Sequence, residues 1–493
     1  MTTTVSTEFE AVIGLEVHIQ LKTRSKMFCS CERSYFDTEP NSHVCVVCMG
    51  MPGALPVINR QAVFYTVMAG LALDCDIASV AKFDRKNYPY PDLVKGYQIS
   101  QYDQPFCENG ALLVETDDRS ERPVELERIH LEEDTARLVH REDDGKSYSL
   151  LDLNRSGSPL MELVTRPNIR SAKEAASFLR RLRQLARYLD ISDANMEKGQ
   201  LRCDANISIR PVGETILGTK VEIKNMNSFR AVQRAIEYEI ERQSQVVLAG
   251  ERIVQETRGF IDNTGETVSQ RSKEGASDYR YFPEPDLPPL TINSGFLEEV
   301  REAMPELPRA RAARFIDEYE LSPSEATTLT GSKLRSQAYE DCVQFDRTVP
   351  PRSIAKWFIG EIAKHINELG VDAELSDTLV KSDNISRLVK LVEEKHITQN
   401  AARDILAEMF GSGDDPEALV DKLGLRKTTD LDAIRSVAKE VIDQNPKAVE
   451  DYVGGKESAI GFLLGQVMRA TKGTADANTV RELLKEILDS NQS

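Results

Sequence analysis

The spacing of apolar residues changes once along this chain, and that change limits the folds the chain can adopt. Up to about residue 295, several stretches alternate apolar and polar positions, which is typical of half-buried β-strands. A proline-rich segment, 283–289, then interrupts the pattern, because proline fits neither a helix interior nor a central strand. From about Leu297 onward apolar residues recur at helical spacing, as in 354–363 and 385–392. The sequence therefore predicts an α+β fold whose second half is helical.

The chain length predicts more than one domain. A chain of 493 residues is too long for a single hydrophobic core. The turn-forming cluster 411–416 divides the helical half again. We therefore expect a first domain over 1–295, a helical domain over 296–409 and an all-α tail over 410–493.

The charge balance restricts the partners. A formal net charge of −18 argues against a protein that coats nucleic acid through a broad basic surface. A local basic patch on an acidic protein can still hold an RNA. The N-terminal residues lack the basic and apolar regions of a signal peptide, and no apolar run approaches the length of a membrane-spanning helix. These features predict a cytoplasmic protein.

Chemically capable side chains share the polar faces of several predicted strands. In 11–21 and 201–210 the alternation is regular, so the polar residues of each stretch point to one side. Shorter stretches at 129–134, 160–164 and 220–224 carry further charges. The residues that result are Glu16, His18 and Gln20, then Glu132, Glu133 and Asp134, then Glu162, then Arg202, Asp204, Asn206 and Ser208, and finally Glu222 and Lys224.

Two interpretations of these faces remain open from the pattern alone. Several carboxylates close together repel one another unless a cation lies between them. Oxygen ligands with an imidazole suit Mg²⁺ or Mn²⁺, ions that commonly bridge to nucleotide phosphates. The alternative is an ordinary sheet whose charged face meets water. The chain has neither a P-loop nor a dinucleotide-binding glycine motif after a strand, so any ATP must be held through metal-bound carboxylates and basic residues.

The cysteines form the sharpest local motif. Cys29 and Cys31 make one close pair, and Cys45 and Cys48 make a second. Turn-forming residues lie between the pairs and after them, and two such pairs suit a tetrahedral zinc site. Because all four ligands come from protein, the metal would be structural. Four free thiols in a hairpin are the alternative.

At this point the sequence resembles the GatB family, the B subunits of aspartyl/glutamyl-tRNA amidotransferases, over essentially its whole length. The resemblance is carried by separate motifs in one order. They lie at 13–18, 82–88, 90–92, 96–101, 131–134, 152–157, 201–207, 278–286, 455–461 and 465–473.

The resemblance implies both a fold and an activity. Members have a glutamine-synthetase-like cradle, in which a curved antiparallel sheet surrounds a metal–nucleotide site, followed by an all-α helical domain and an all-α tail domain. The implied reaction phosphorylates the side-chain carboxylate of Glu-tRNA(Gln) or Asp-tRNA(Asn) with ATP. Ammonia then displaces phosphate to give the amide. This chain shows no glutaminase motif, so the family implies two partners in a heterotrimer, an amidase (the A subunit) and a small protein (the C subunit).

The resemblance also suggests roles for individual residues. It makes Glu16, His18, Glu132, Glu133 and Asp204 candidate magnesium ligands, with Glu162 and Glu222 as weaker candidates near the nucleotide. Arg202, Asn206 and Lys224 would contact phosphate or the aminoacyl end. In the tail, Lys456, Arg469 and Lys472 would bind tRNA. Some members lack the four cysteines, so zinc would be an optional structural ion that takes no part in catalysis.

Two other functions compete with this one. The first is a stand-alone ligase, similar to glutamate-cysteine ligase, that joins a free carboxylate to an amine with ATP. The helical tail argues against it, because a small substrate needs no such extension. The second is a non-enzymatic, zinc-containing tRNA-binding scaffold. The clustered carboxylates argue against it, because RNA phosphate attracts the opposite charge.

Overall fold

The structure is a computed structural model that describes residues 8–272, 279–370, 372–427, 431–456, 458–471 and 473–490. Its contacts divide the chain into two compact units, Met1–Leu307 and Pro308–Ser493. The first unit contains the sheets, and the second is built from helices.

The strands lie in the first unit. In chain order they are β1 Phe9–Gln20, β2 Asp76–Ile77, β3 Val80–Ala81, β4 Asp84–Asn87, β5 Tyr97–Ser100, β6 Cys107–Glu108, β7 Ala111–Glu115, β8 Glu121–Glu133, β9 Arg137–Asp143, β10 Lys146–Asp152, β11 Pro159–Thr165, β12 Leu201–Pro211, β13 Val221–Met226, β14 Glu256–Ile261, β15 Glu266–Ser272, β16 Phe282–Pro283 and β17 Leu290–Thr291.

The helices occur in both units. They are α1 Arg60–Ala72, α2 Ala172–Tyr188, α3 Phe229–Leu248, α4 Ser294–Ala303, α5 Pro308–Tyr319, α6 Pro323–Leu329, α7 Lys333–Phe345, α8 Pro351–Trp357, α9 Ala363–Leu369, α10 Ser382–Glu393, α11 Gln399–Ser412, α12 Pro416–Leu423, α13 Leu431–Gln444, α14 Pro446–Val453, α15 Ser458–Ala470 and α16 Ala477–Ser490. Phe358–Ile362 is a π-helical turn between α8 and α9, and Leu375–Asp377 is a 3₁₀ turn.

A 10-stranded sheet organises the described part of the first unit. Its order is β15-β14-β13-β12-β1-β11-β8-β6-β2, with β7 also paired to β8. β1 lies between β11 and β12 and is antiparallel to both. This central position explains why the β1 sequence alternates so regularly, because both of its edges are paired and only its two faces differ.

One pairing departs from the expected antiparallel sheet. β13 and β14 are parallel, with Glu222 opposite Thr257. The cause is α3, which connects these two neighbouring strands, because a helical crossover returns the chain in the same direction. The sheet is therefore mixed rather than purely antiparallel.

The two faces of this sheet have different roles. Apolar residues such as Val17 and Ile19 join a core that includes residues of α1, α2 and α3. Ser171 caps α2 by accepting a hydrogen bond from the Glu174 N–H. The helices thus cover one face of the sheet, and the polar residues of β1 and β12 lie on the other.

The second unit has two hydrophobic cores. One spans Phe315 to Leu425 and includes the chain's single tryptophan, Trp357. The other spans Ile434 to Leu488. Leu419 and Val420 of α12 belong to the first core. The division into three domains stays a prediction. No helix in the described ranges is both long and apolar enough to cross a membrane.

Candidate functional site

A row of charged residues crosses four neighbouring strands on the polar face of the sheet. His18 on β1 faces Glu162 on β11 and, on its other side, Arg202 on β12. Glu162 in turn faces His130 on β8. Antiparallel neighbours directly opposite one another point to the same face, so the main-chain register brings these side chains together.

Three residues of this row meet closely with Glu132, which also lies on β8, and we name the four the histidine–carboxylate cluster: His18, His130, Glu132 and Glu162. Glu162 Oε2 lies 3.3 Å from Nε2 of His18 and 3.3 Å from Nε2 of His130. Glu132 Oε1 lies 3.6 Å from His18 Nε2. Both carboxylates are buried, so their charge requires a nearby cation.

The electrostatics of the cluster reflect this need. Burial alone would raise the pKa of Glu162, but His130 and His18 outweigh it and hold that pKa well below its usual range. Burial alone would lower the pKa of His18, but the hydrogen bond to Glu162 and the charges of Glu162 and Glu132 raise it. Both shifts show that the two carboxylates attract positive charge to this position.

The cluster fits a divalent metal ion. One ligand atom each from His18, Glu132 and Glu162 can be chosen so that all three lie within 4.8 Å of one another. Two carboxylates with an imidazole are the donors that Mg²⁺ or Mn²⁺ accept in nucleotide sites. His130 adds a second imidazole, which the sequence analysis does not assign to the site.

A second group of polar residues continues the same face toward β13. Asp204 faces Glu16 across β1 and β12. Asn206 donates a hydrogen bond of 2.9 Å to Glu16 Oε1. Lys224 Nζ lies 2.5 Å from Asp204 Oδ2 and 3.3 Å from Glu222 Oε1. Burial alone would lower the pKa of Lys224, but these two carboxylates raise it above its ordinary value, so the amine stays charged.

Arg202 is held in place by a buried aspartate. Its guanidinium donates a 3.1 Å hydrogen bond to Asp134 Oδ1, and Gln20 donates a 2.7 Å bond to Asp134 Oδ2. Asp134 is buried, which favours its neutral form, but Arg202 and Arg155 lower its pKa. Asp134 thus positions Arg202 at the end of the charged row.

Glu133 lies apart from the cluster. Neighbouring residues of a strand point to opposite faces, so Glu132 faces the site and Glu133 faces the core side. The Glu133 carboxylate pairs with Lys95 and accepts a 3.0 Å hydrogen bond from the Ile99 N–H. The structure does not bring Glu133 together with the other predicted ligands.

The four predicted zinc ligands lie together. Sulfur atoms of Cys29, Cys31, Cys45 and Cys48 lie within 4.8 Å of one another, and the Cys45 and Cys48 sulfurs are 3.9 Å apart. A tetrahedral site with Zn–S bonds of about 2.3 Å separates its sulfurs by about 3.8 Å, so the arrangement fits zinc. The hydrogen bond between Cys29 and Cys48 lowers the pKa of Cys48 and raises that of Cys29, and burial raises the pKa of Cys31, so Cys48 is the member that most readily becomes a thiolate.

The predicted tail contacts lie around α15. Lys456 is exposed and pairs with Asp451 at 2.9 Å. Arg469 is exposed in the last turn of α15. Lys472 lies outside the described residues. On the exposed face of the same helix, Phe462 is 51% exposed, which is unusual for a phenylalanine.

Sequence reasoning did not single out His130 or Lys86. His130 stands two residues before Glu132 in the same strand, so alternation alone would have placed it on the face of Glu132. Lys86 belongs to the motif at 82–88, but no local pattern indicates a role for it. It lies on the four-residue β4, which is too short to show a period.

Comparison with known proteins identifies the family. A family model described as the GatB/GatE catalytic domain matches residues 11–298, and one described as a GatB domain matches 337–488. Three curated relatives are each named as the B subunit of an aspartyl/glutamyl-tRNA(Asn/Gln) amidotransferase. They come from Dehalococcoides mccartyi (50% identical over 490 residues; 98% of this chain and 99% of the relative), Thermomicrobium roseum (53% over 481; 98% and 99%) and Persephonella marina (47% over 481; 98% and 100%). With its site on the matched catalytic domain and its whole length shared with these relatives, the chain belongs to the GatB family of aspartyl/glutamyl-tRNA amidotransferase B subunits.

Proposed function

We propose that this chain is the catalytic subunit of a tRNA-dependent amidotransferase. It uses ATP to phosphorylate the side-chain carboxylate of Glu-tRNA(Gln), Asp-tRNA(Asn) or both. The acyl phosphate then reacts with ammonia to give Gln-tRNA(Gln) or Asn-tRNA(Asn). The observation that carries the proposal is the histidine–carboxylate cluster, which lies on the polar face of the domain that the catalytic family model matches.

Each step has a clear chemical need. An oxygen of the substrate carboxylate forms a bond to the γ-phosphorus, and the bond from that phosphorus to the bridging oxygen of ADP breaks. Ammonia next attacks the acyl carbon, loses a proton, and the carbon–oxygen bond to phosphate breaks. Phosphoryl transfer depends mainly on positioning and charge neutralisation, so the site must offer fixed cationic groups rather than a nucleophile.

His18, Glu132 and Glu162 are the residues that would hold a magnesium ion. Bound there, magnesium would neutralise phosphate oxygens and orient the γ-phosphate. His130 steadies Glu162 by sharing its Oε2 atom with His18. Glu16 and Asp204 lie on the same face one row away, and they would hold a second ion. Glu133 is a weaker candidate because of its opposite orientation.

The basic and amide groups complete the site. Arg202 lies at the end of the charged row, Lys224 lies beside Asp204, and Asn206 lies beside Glu16. All three point to the face of the cluster, and they would contact phosphate or the aminoacyl end. Glu222 pairs with Lys224 and keeps it close to Asp204. Glu222 would therefore act near the nucleotide through Lys224.

The four cysteines would hold a structural zinc ion. The metal would tie the loop of Cys45 and Cys48 to the segment of Cys29 and Cys31. Cys48 also anchors the loop to the sheet region, because its carbonyl accepts a 3.0 Å hydrogen bond from the Ser156 hydroxyl. The ion would therefore stabilise the edge of the catalytic domain without taking part in the reaction.

The sheet with helices on one face suits a glutamine-synthetase-like cradle. In such a site metal ions hold ATP, which agrees with the absence of a P-loop from the sequence. The chain also lacks a glutaminase motif, so ammonia would come from an amidase, the A subunit, with the small C subunit completing a heterotrimer. Because charged tRNA is the substrate, we place the enzyme in the cytoplasm.

The tail would bind the body of the tRNA. Lys456 and Arg469 offer cations, and Gly461 and Gly465 leave the neighbouring helix surface open to close approach.

The stand-alone ligase and the non-enzymatic scaffold are not favoured. Relatives that match 98% of this chain carry the amidotransferase name, and a buried carboxylate cluster repels RNA phosphate.

One assay separates these three functions. ATP hydrolysis by the assembled complex is measured with and without Glu-tRNA(Gln). The amidotransferase should hydrolyse ATP faster when Glu-tRNA(Gln) is added and more slowly when uncharged tRNA replaces it. A free-substrate ligase would respond to glutamate instead, and a scaffold would show no ATP hydrolysis at all.

A further inference from the structure

The ammonium group of Lys86 has an unusual environment beside the histidine–carboxylate cluster. Lys86 lies on β4 opposite Gln98 of β5. Its Nζ atom lies 4.9 Å from the centre of the Tyr279 ring and 5.9 Å from that of Tyr88. Within the described ranges, no carboxylate lies within the 4.0 Å of an ion pair with it. This half-buried cation is therefore held by aromatic faces rather than by a direct anionic partner.

The charge of Lys86 is nevertheless directed toward the cluster. Burial alone would lower its pKa, but Glu132, Tyr281 and Glu162 raise it above the ordinary value. β5 connects this lysine to the cluster, because Gln98 lies opposite Lys86 and Ser100, two residues further on, donates a 3.3 Å hydrogen bond to Glu132 Oε2. Other cations at the site differ, because Lys224 pairs with Asp204 and Arg202 with Asp134.

Tyr88 and Tyr279 border the ammonium, Tyr281 packs on Tyr279 and Tyr102 on Tyr281, and we name these four residues the tyrosine wall. Tyr102 stacks on Tyr281 with ring centres 4.4 Å apart, and Tyr279 meets Tyr88 edge-on at 5.8 Å. Burial raises the pKa of Tyr281 to about 12, so its phenol is neutral near pH 7. A neutral aromatic wall reduces the access of water and strengthens the attraction between Lys86 and an anion.

The backbone fixes the wall to the strand that carries Lys86. The Asn87 N–H donates a 2.8 Å hydrogen bond to the Tyr279 carbonyl. The Asn87 side chain donates a 2.9 Å bond to the Arg280 carbonyl, and Phe282 pairs with Arg85 across β16 and β4. Lys86 and the wall are thus one preorganised unit, although distant parts of the sequence supply them.

We propose that Lys86 binds the oxyanion that takes part in phosphoryl transfer and holds it between its ammonium group and the histidine–carboxylate cluster. This inference rests on the proposed function and adds a substrate-binding residue to it. The anion has two possible sources, the γ-phosphate of ATP and the side-chain carboxylate on the tRNA. Both carry the charge that a half-buried ammonium attracts.

The alternative role for Lys86 is structural, as a fixed counter-charge for Glu132 and Glu162. The two roles differ in what they do to ligands. A counter-charge affects folding and all ligands similarly, whereas a binding group discriminates between ligands with and without the recognised anion. Lys86→Met removes the charge but keeps an unbranched chain, and Lys86→Arg keeps a charge in a different shape.

The experiment measures equilibrium binding to the assembled complex with Mg²⁺ present. One comparison sets ADP against the non-hydrolysable analogue adenylyl imidodiphosphate, which carries a γ-phosphate. The other sets Glu-tRNA(Gln) against uncharged tRNA(Gln). In one of the two pairs, we expect Lys86→Met to weaken binding of the anion-bearing ligand about 10- to 100-fold, which is the loss expected for a charged hydrogen bond. Binding of its counterpart without that anion should change little. Lys86→Arg should recover part of the loss.

The ligand that weakens identifies the source of the anion. A selective loss for the ATP analogue assigns the γ-phosphate, and a selective loss for Glu-tRNA(Gln) assigns the carboxylate. Equal changes within both pairs would overturn the proposal and leave the structural role. Lys22→Met is the matched control, because the Lys22 ammonium already pairs with the solvent-exposed Asp190. These binding measurements require no reaction, so they test the role of Lys86 alone. Failure of the wild-type complex to phosphorylate its substrate would instead reject the proposed function.

Discussion

His18 Nε2 lies 3.3 Å from Glu162 Oε2, although the two residues are far apart in the sequence. The antiparallel register of β1 and β11 places them directly opposite one another. Main-chain hydrogen bonds on central strands fix this contact more rigidly than a loop could. The site should therefore respond sharply to changes in its side chains and little to changes elsewhere.

The first prediction concerns the strand residues of the site. His18→Ala should abolish ATP-dependent phosphorylation of Glu-tRNA(Gln), and Glu16→Ala or Asp204→Ala should do the same. Each change removes a donor that would hold a metal ion or position phosphate. The affinity for tRNA should hardly change, because the proposed tail contacts lie elsewhere in the sequence. The measurement pairs the phosphorylation rate with a tRNA-binding titration.

His396→Ala is the control for the histidine substitution. His396 is an exposed residue of the second unit that pairs only loosely with Glu394, at 3.5 Å. The complex with His396→Ala should phosphorylate Glu-tRNA(Gln) at the wild-type rate. A normal phosphorylation rate in His18→Ala would contradict the role given to that residue.

A second prediction concerns the cysteine cluster. Cys48→Ala should remove one equivalent of zinc and lower the melting temperature, because metal binding to a folded site contributes to folding stability. The protein that remains folded should keep its phosphorylation chemistry. Elemental analysis and thermal unfolding provide the two measurements. Cys342→Ala, at a buried cysteine of the second unit, should cost stability through lost packing while keeping all the zinc. If wild-type protein prepared under reducing conditions contained no zinc, the assignment of a zinc site would be contradicted.

Much of the site could be predicted from alternation alone. Because β1 and β12 are long and paired on both edges, their period of two is clear, and the register confirms that His18 and Arg202 share a face. The stretch 129–134 is different, because its three consecutive carboxylates hide the alternation. Glu132 and Glu133 were both predicted as ligands, although adjacent strand residues point to opposite faces.

The remainder depends on contacts between distant segments. Lys86 is positioned beside Tyr279 by hydrogen bonds between β4 and a segment near residue 280. No local pattern reveals such a pairing. The parallel pair β13–β14 was also hidden, because its direction follows from how α3 connects the two strands. Local periods show the faces of elements, whereas pairing partners require the folded chain.

A third prediction tests the tail. Replacing both Lys456 and Arg469 by alanine should weaken tRNA binding and flatten its dependence on salt. Two lost phosphate contacts should reduce the slope of log affinity against log salt by about 1.5, because fewer counterions are released. Binding titrations between about 50 and 200 mM salt measure the slope.

Lys439→Ala provides the matched control for the tail. Lys439 is an exposed lysine on α13 of the same unit. Its replacement should leave the slope of log affinity against log salt unchanged. A truncation meant to remove the tail should end after residue 427, because α12 packs into the preceding core. If the double variant bound tRNA with the wild-type slope, the tail contacts would be misassigned.

A fourth prediction concerns pH and the second unit. Burial alone would raise the pKa of Glu340, but hydrogen bonds from Arg314 and Arg311 outweigh it and lower that pKa. A lowered folded-state pKa gives stability that is complete above the unfolded value and is lost as pH falls through the folded value. Glu340→Gln should therefore cost roughly 1–3 kcal/mol near pH 7, and the difference should shrink below about pH 4.5.

Fluorescence of Trp357 can follow this unfolding in the intact chain. Trp357 is the single tryptophan of the sequence and is buried in the same core as the Glu340 helix. Glu318→Gln is the control, because Glu318 contacts Arg314 from an exposed position and should cost far less. A difference that stayed constant from pH 7 to pH 3 would refute the linkage.

Trapping of the acyl phosphate tests the central claim most directly. Hydroxylamine added without glutamine should displace phosphate from the activated side chain and give its γ-hydroxamate, which is distinct from the α-hydroxamate formed when hydroxylamine cleaves the aminoacyl ester. The wild-type complex should form this product only with both ATP and Glu-tRNA(Gln). Glu162→Gln keeps the shape of the side chain but removes the charge at the centre of the cluster, so hydroxamate should fall by at least about 100-fold. Hydroxamate formed by Glu162→Gln at the wild-type rate would show that phosphoryl transfer occurs elsewhere.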